Sequence, residues 1–307
     1  MDFNALIQQG WKDHASHPAA VAALIADVLP GSATEAAALL GLGNHVLGEH
    51  LHDWPAALAL AERVAAPFQQ DFLPSGEETP GMAQLLSALI VAQTLNNDVG
   101  SAFVNQHRLQ ALSAEQAPLR QLKLSTQLPS PMIRAGRFAE GAALFRGLLL
   151  PARQQNDASV QRTLAIASNN LASALLEIPQ RNADETALMQ EAARVAQEFW
   201  QRCGTWENHE RALYLLGLVA NASGQPHEAL AHAENALAII ANNGEEPVDE
   251  AFLLLVEAHA YRLLGEEVRH AQALHAAQVR ADGFEDEGLV AWFQDERGRA
   301  LAAAAGA

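Results

Sequence analysis

Apolar residues recur at three- and four-residue spacing along most of the chain, the period of helices that bury one face. The stretch "LGLVANASGQPHEAL", residues 216 to 230, shows the unit most clearly. Leu213, Leu216 and Ala220 form one apolar stripe. Gly224 then stands where a left-handed residue ends a helix, and the proline soon after it suits the first turn of the next. Ala229, Ala233 and Ala236 form a small-residue stripe on that second helix. Small residues facing large ones allow close approach, so the stretch predicts helix, tight turn, helix.

The same turn signature runs along the chain: a polar or glycine residue, a bulky residue or proline, two further positions, then a small residue. It recurs in "DWPAAL" at 53–58, "DVGSAF" at 98–103, "GRFAEGAAL" at 136–144, "NADETAL" at 182–188 and "GEEVRHAQAL" at 265–274. Self-similarity at roughly forty residues predicts a helical solenoid, in which each helix pair buries its apolar face only by stacking on its neighbours. The expected organisation is a single repeat domain, 1–307, with one continuous core. Within it, 1–31 reads as a capping helix pair, 32–282 as repeats and 283–307 as a capping helix.

Local punctuation refines this outline. Pro18 falls near the start of the second capping helix, "PG" at 30 and 31 closes it, and Ser32 with Glu35 forms a capping-box pattern for the next. Pro129 and Pro131 in "LPSPM" should kink or split the helix that contains them. "LPSGEETPG" at 73–81 reads as an exposed loop. The last helix is expected to pack Leu289, Trp292 and Phe293 inward and to leave its acids outside.

"LLGLVANASGQPHEALAHAENALAII" resembles a tetratricopeptide repeat: Leu216, Gly217, Gly224, Ala229 and Ala236 stand in register with that family's landmarks. "LGN" at 42–44 followed by "DWPAAL" matches with a longer turn. "SNNLASALLE" at 168–177 is similar to the start of the longer repeats in kinesin light chains and bacterial regulators. The resemblance covers residues 33 to 281 in six units, whose length drifts from about 39 to 47 residues, so the superhelix should be irregular. It implies an all-α fold, an α-solenoid of about six TPR-like units in a right-handed superhelix. It also implies a concave wall built by the first helix of each unit. Carried over residue by residue, that wall contains Asn44, then Asn169, Asn170 and Ser173, then Arg211, Tyr214 and Asn221, then His259 and Arg262.

Such residues suit a peptide. An asparagine amide both donates and accepts, and so holds an extended backbone whatever its side chains; an arginine fixes a carboxylate with two parallel hydrogen bonds. The competing reading of Asn169 and Asn170 is that they cap or bridge neighbouring helices, or face water.

Composition agrees with helix and narrows the partners. Alanine and leucine dominate, and aromatic residues are only 6% of the chain, which disfavours strands. The net charge is −17, from 36 acidic against 19 basic residues, so nucleic acid and anionic membrane surfaces are repelled and neither is expected as a partner. No run approaches the ~18 apolar residues of a membrane helix, and "MDFNALIQQGWKDHASHP" lacks the basic start and apolar core of a leader, so a cytoplasmic location is expected. The single Cys203 rules out an intrachain disulfide and reads as incidental within a helix.

Candidate chemistry is sparse. "HEALAH" places His227 and His232 five residues apart, about 140° around an α-helix, so it does not match the zinc-protease pattern; His270 and His275 fail likewise. "HLHD" gathers His50, His52 and Asp53 at a turn without a clear fourth ligand, and exposed turn histidines are the better reading. "GLGNHVLG" at 41–48 follows no strand, and neither a phosphate loop nor a Gly-x-Ser-x-Gly elbow occurs. The acids of "GFEDEG" and "NNGEEP" read as solvated turns. The expectation is therefore no catalytic residue, no cofactor and no metal: a non-enzymatic scaffold binding a protein or peptide in its groove, with a homodimer through its ends left open. Two alternatives stand beside it. The likeness to bacterial regulators implies a receptor for a signalling peptide or small ligand; the histidines raise a metal-dependent enzyme.

Overall fold

A computed structural model describes residues 2–71 and 80–302, without the side chains of 69–71. The loop expected at 73–81 lies, up to residue 79, outside the described residues, as do the last five positions of the C-terminal cap.

Every regular element among the described residues is helical. The first half runs through α1 (Phe3–Asp13), α2 (Pro18–Ile25), α3 (Ala33–Gly43), a π-helical segment (Asn44–His50), α4 (Trp54–Ala65) with a 3-10 extension (Ala66–Asp71), α5 (Met82–Leu95), α6 (Val99–Ala111), α7 (Ala117–Thr126), α8 (Pro129–Arg134) and α9 (Phe138–Arg153). The second half holds α10 (Ala158–Leu176), α11 (Ala183–Cys203), α12 (Trp206–Ala222), α13 (Pro226–Asn243), α14 (Pro247–Leu263), α15 (Glu267–Ala281) and α16 (Glu287–Leu301). The chain divides into two compact units, 1–154 and 155–307.

Both units pack in the manner of a solenoid, each helix against its neighbours in sequence. In 1–154, α1 and α2 lie on α3, α3 packs on α4 and α5, and α5 on α6 and α7. The buried side chains between them include Ile25, Leu39, Leu42, Leu89 and Ile90. In 155–307, α10 pairs with α11, α12 with α13 and α14 with α15. The first helices also touch in series, α10 on α12 and α12 on α14, and α16 closes the end against α14 and α15.

The repeated turn has one backbone device. His52, Asn97, Gly136, Gly224 and Gly265 all take positive φ, and each directly precedes the residue that opens the next helix. Where that residue is aspartate it also caps: Asp53 accepts from the Ala56 N–H at 3.0 Å, and Asp98 from Ser101 at 3.1 Å. "NADETAL" enters its helix differently, through a full capping box between Asn182 and Glu185. At Gly224 a Cβ would meet nothing within 4 Å, so only the backbone opposes a side chain. Gly224→Ala is thus expected to cost about 1 kcal/mol, read as a small drop in melting temperature without loss of helicity.

Proline does what its chemistry dictates: α7 stops at Thr126, and Pro129 opens the short α8. Ser32 accepts from the Glu35 N–H at 3.2 Å, but the Glu35 carboxylate reaches past it to the Gly31 N–H at 2.6 Å.

Two expected wall residues turn inward instead. Asn44 is buried and donates to the Ala88 carbonyl at 2.8 Å; Asn221 is buried and donates to Val256 at 2.9 Å. Each ties the end of one first helix to the middle of the next. Beside Asn221, one turn back, Gly217 faces the same residue: a Cβ there would lie 2.8 Å from Val256 Cγ1. Such close packing leaves no room for water, so a carbonyl in the seam needs a protein donor, and the short amide supplies it.

Candidate functional site

A cavity of about 700 Å³ opens in 155–307. One wall is a single face of α10: Ile166, Asn169, Asn170 and Ser173 stand at positions i, i+3, i+4 and i+7, with Glu177 a further turn on. The opposite face of that helix buries Leu164, Leu171 and Leu175, which fixes the polar ladder toward the opening. A second wall comes from α12, where Asn208, Arg211, Tyr214, Leu215 and Leu218 line it. α11 contributes Trp200, α14 contributes Val248 and Asp249 from its first turn, and α16 contributes Trp292, Glu296 and Arg299.

The fold therefore brings together five residues expected from the sequence: Asn169, Asn170, Ser173, Arg211 and Tyr214. It does not bring in the other four. Asn44 and Asn221 serve the helix seams described above. His259 and Arg262 lie further along α14, beyond the turn that reaches the cavity, and are absent from its lining. His259 is half-buried near Arg262 and His270; burial, then those positive charges, hold its imidazole below the usual pKa. His270 itself is buried against α14 through the Ala258 carbonyl at 2.8 Å.

Polar groups in the cavity fall into two classes. The amides of Asn169 and Asn170 and the hydroxyl of Ser173 make no hydrogen bond with other described residues. The arginines are engaged. Arg211 holds Asp249 with Nε at 2.9 Å and Nη2 at 2.8 Å, and Arg299 Nη1 lies 2.8 Å from Glu296. Arg211 is thus neutralised within the wall, which weakens its expected part as a receiver of ligand carboxylate.

Behind Arg211 the Glu210 side chain is fully buried; its Oε1 lies 3.4 Å from Arg211 Nε, and among the described residues neither of its oxygens accepts a hydrogen bond. Burial, and then the Asp249 carboxylate beside it, push its pKa up to about 9 against the weaker pull of Arg211. A proton on Glu210 turns a repelling neighbour into a donor toward Asp249. Burial likewise raises the Glu296 carboxyl, opposed by Arg299 and by a hydrogen bond from Trp292. The Tyr214 phenol is raised by burial and by Glu296, and stays neutral.

Three aromatic side chains complete the lining. Trp292 is 48% exposed, so it is not buried with Phe293 as the sequence suggested. One face of its indole lies against Phe252, with centroids 4.2 Å apart, which leaves the rest of the ring to the cavity. Trp200 carries Arg162 over its ring at 5.3 Å. Trp200, Asn208, Asp249, Glu296 and Arg299 were not singled out from the sequence. Neither Trp200 nor Asn208 falls on a landmark of the repeat register, and α16 has no counterpart in a repeat-by-repeat alignment.

Residues able to hold a metal lie elsewhere: among the described residues one group, His14, His45 and His50, converges in 1–154. It replaces the grouping of His50 with His52 and Asp53, since Asp53 is used as the cap of α4.

No family model matches the chain, and no curated protein matches it in sequence. Among solved structures, BtubC (BKLC) from P. vanneervenii is similar with a TM-score of 0.47 and 16% identity, over 77% of this chain and 92% of that one. A kinesin-light-chain-type protein of nearly identical TPR-like repeats from P. anserina gives a TM-score of 0.43 and 14% identity, over 84% of this chain and all of that one. Likeness at this level does not bear on function. Among the described residues no helix is long and apolar enough to cross a membrane.

Proposed function

We propose that 155–307 is a non-catalytic binding module whose cavity holds a short, neutral-to-basic peptide segment of a protein partner. The observation that carries this is the meeting of unpaired amides at Asn169 and Asn170 with the rings of Trp200, Tyr214 and Trp292 in one opening. Amides spaced along a helix suit a peptide backbone, and the rings suit an apolar anchor beside it. Size agrees, since cavities of about 300–1,000 Å³ hold a few residues or a small ligand. Charge sets the preference: the two arginines of the lining are already paired with Asp249 and Glu296, so an acidic segment finds no receiver. The lining has neither histidine nor cysteine, which favours binding over chemistry. The chain's acidity favours the same class of partner over nucleic acid.

Selection of a random peptide library on the full chain tests this reading. Enriched peptides should carry an aromatic or large apolar anchor flanked by neutral or basic residues. Asn169→Ala with Asn170→Ala should weaken them at least about tenfold, since two lost hydrogen bonds cost roughly 1 kcal/mol each. Helicity and melting temperature should not change, because both side chains lack partners in the fold. Peptides that bind the double variant as well as the parent would place the site elsewhere. A receptor for a small ligand is the second reading, favoured by the partial enclosure that α16 provides; it predicts no selectable peptide and saturable binding of a small molecule to the same residues.

A further inference from the structure

In 1–154, α3 does not stop at Gly43 but widens into the π-helical turn Asn44–His50. This changes which residues share a side. In an α-helix, positions five apart diverge, whereas a π-helix bonds i to i+5 and stacks them. His45 and His50 accordingly meet, Nε2 to Nε2, at 3.2 Å. His14, just past the last turn of α1, completes the group: its ring centroid is 4.9 Å from His45 and 5.4 Å from His50. One ring nitrogen from each lies within 4.8 Å of the other two.

Two of the three remaining nitrogens, those of His14 and His45, face acceptors. His14 Nδ1 lies 2.5 Å from the Trp11 carbonyl, which only accepts, so Nδ1 carries the proton and Nε2 keeps its lone pair. His45 Nδ1 lies 3.6 Å from the Glu49 carboxylate, which orients that ring in the same sense. Outer carbonyls and carboxylates of this kind are what fix metal-binding imidazoles. The Trp11 ring packs on His14 and His45, at 5.5 and 5.4 Å, and shields one side. Tetrahedral zinc at about 2.0–2.1 Å from nitrogen sets its ligands about 3.3 Å apart. The His45–His50 pair is already at that spacing, and a ring nitrogen of His14 lies within 4.8 Å of both.

We propose that His14, His45 and His50 form a three-imidazole site for a divalent transition ion of the zinc class, with the fourth position open to water or an exogenous ligand. Imidazole nitrogen suits zinc, cobalt, nickel and copper and not magnesium or calcium. The ion would join α1 to the π-helical turn, two segments otherwise held by apolar packing.

The test uses the full chain purified without a polyhistidine tag and stripped with EDTA. Cobalt should give the intense visible absorption of a tetrahedral nitrogen site, displaced by one equivalent of zinc, and zinc should raise the melting temperature. His14→Gln, His45→Gln and His50→Gln should each weaken zinc at least tenfold, while His107→Gln and His275→Gln leave it unchanged. Melting of each variant in EDTA should match that of the stripped parent. Should a variant fail to fold, imidazole resonances of the parent decide: zinc should shift those of His14, His45 and His50 only. Absence of saturable binding, undiminished binding in the triple variant, or shifts confined to other histidines would each overturn the proposal.

Discussion

Phe293→Ala is expected to detach α16 and to abolish peptide capture by 155–307. Phe293 is 1% exposed, and its ring meets Phe252 and Phe284 edge-on, each at 5.9 Å. Ala300, two turns later, is the other position at which α16 is buried. A phenylalanine-to-alanine truncation in a packed core costs about 3–5 kcal/mol, lost transfer energy plus the cavity left behind. Because α16 is a terminal helix with one large anchor, much of that cost should appear as local opening of this helix before the rest unfolds. Its departure removes Trp292, Glu296 and Arg299 from the lining and leaves Tyr214 and Phe252 facing water. Capture should therefore fall further than in the Asn169/Asn170 variant, with melting lowered by about 10 °C. Val290→Ala, at a position 38% exposed on the same helix, should have a much smaller effect on both. A Phe293→Ala protein that melts and binds like the parent would show that α16 is no part of the site.

What could be read in advance depended on whether a residue's role was set by its own helix or by the next one. The turns were legible because left-handed backbone is a local demand, met by Gly136, Gly224 and Gly265 and, with less warning, by Asn97 and His52. The polar ladder of α10 was legible because one helix face must be buried and the other is then exposed. Asn44 and Asn221 look identical to ladder residues in the sequence, yet each is spent on a carbonyl of a neighbouring helix. Nothing within their own helices distinguishes the two fates. His45 and His50 illustrate the opposite limit. Their spacing excludes a shared face only if the helix is α-helical, and the extra residue that makes it a π-helix leaves no clear mark in composition. Of the cavity's three aromatic rings, Trp292 comes from α16, which a repeat-based register does not reach, while Trp200 and Tyr214 come from α11 and α12.

Glu210→Gln should stabilise the protein at neutral and alkaline pH and leave it unchanged in mild acid. The ordinary pKa of this carboxyl, near 4.5, is raised to about 9 in the folded state by burial and by Asp249. Between these values the folded chain keeps a proton that the unfolded chain releases, so stability from this group falls as pH rises from about 4.5 and levels off above about 9. Each unit of pKa difference traversed corresponds to ~1.4 kcal/mol. Allowing for relaxation and for the partial compensation by Arg211, about 2 kcal/mol should separate the two proteins at pH 8, or roughly 5 °C in melting temperature. Glutamine cannot ionise, matches the protonated shape and can donate to Asp249, so its melting curve should lose the slope and meet that of the parent near pH 4.5. The cavity feels the same proton. While Glu210 is neutral, Arg211 spends its charge on Asp249, with its Nε also 3.4 Å from Glu210, and the wall it forms is fixed. Once Glu210 ionises, two carboxylates compete for one guanidinium, and peptide capture by the parent should weaken toward pH 9 while that of Glu210→Gln holds. Parallel melting and binding profiles for the two proteins from pH 5 to 9 would show that Glu210 is already ionised in the fold, with Arg211 shared between it and Asp249.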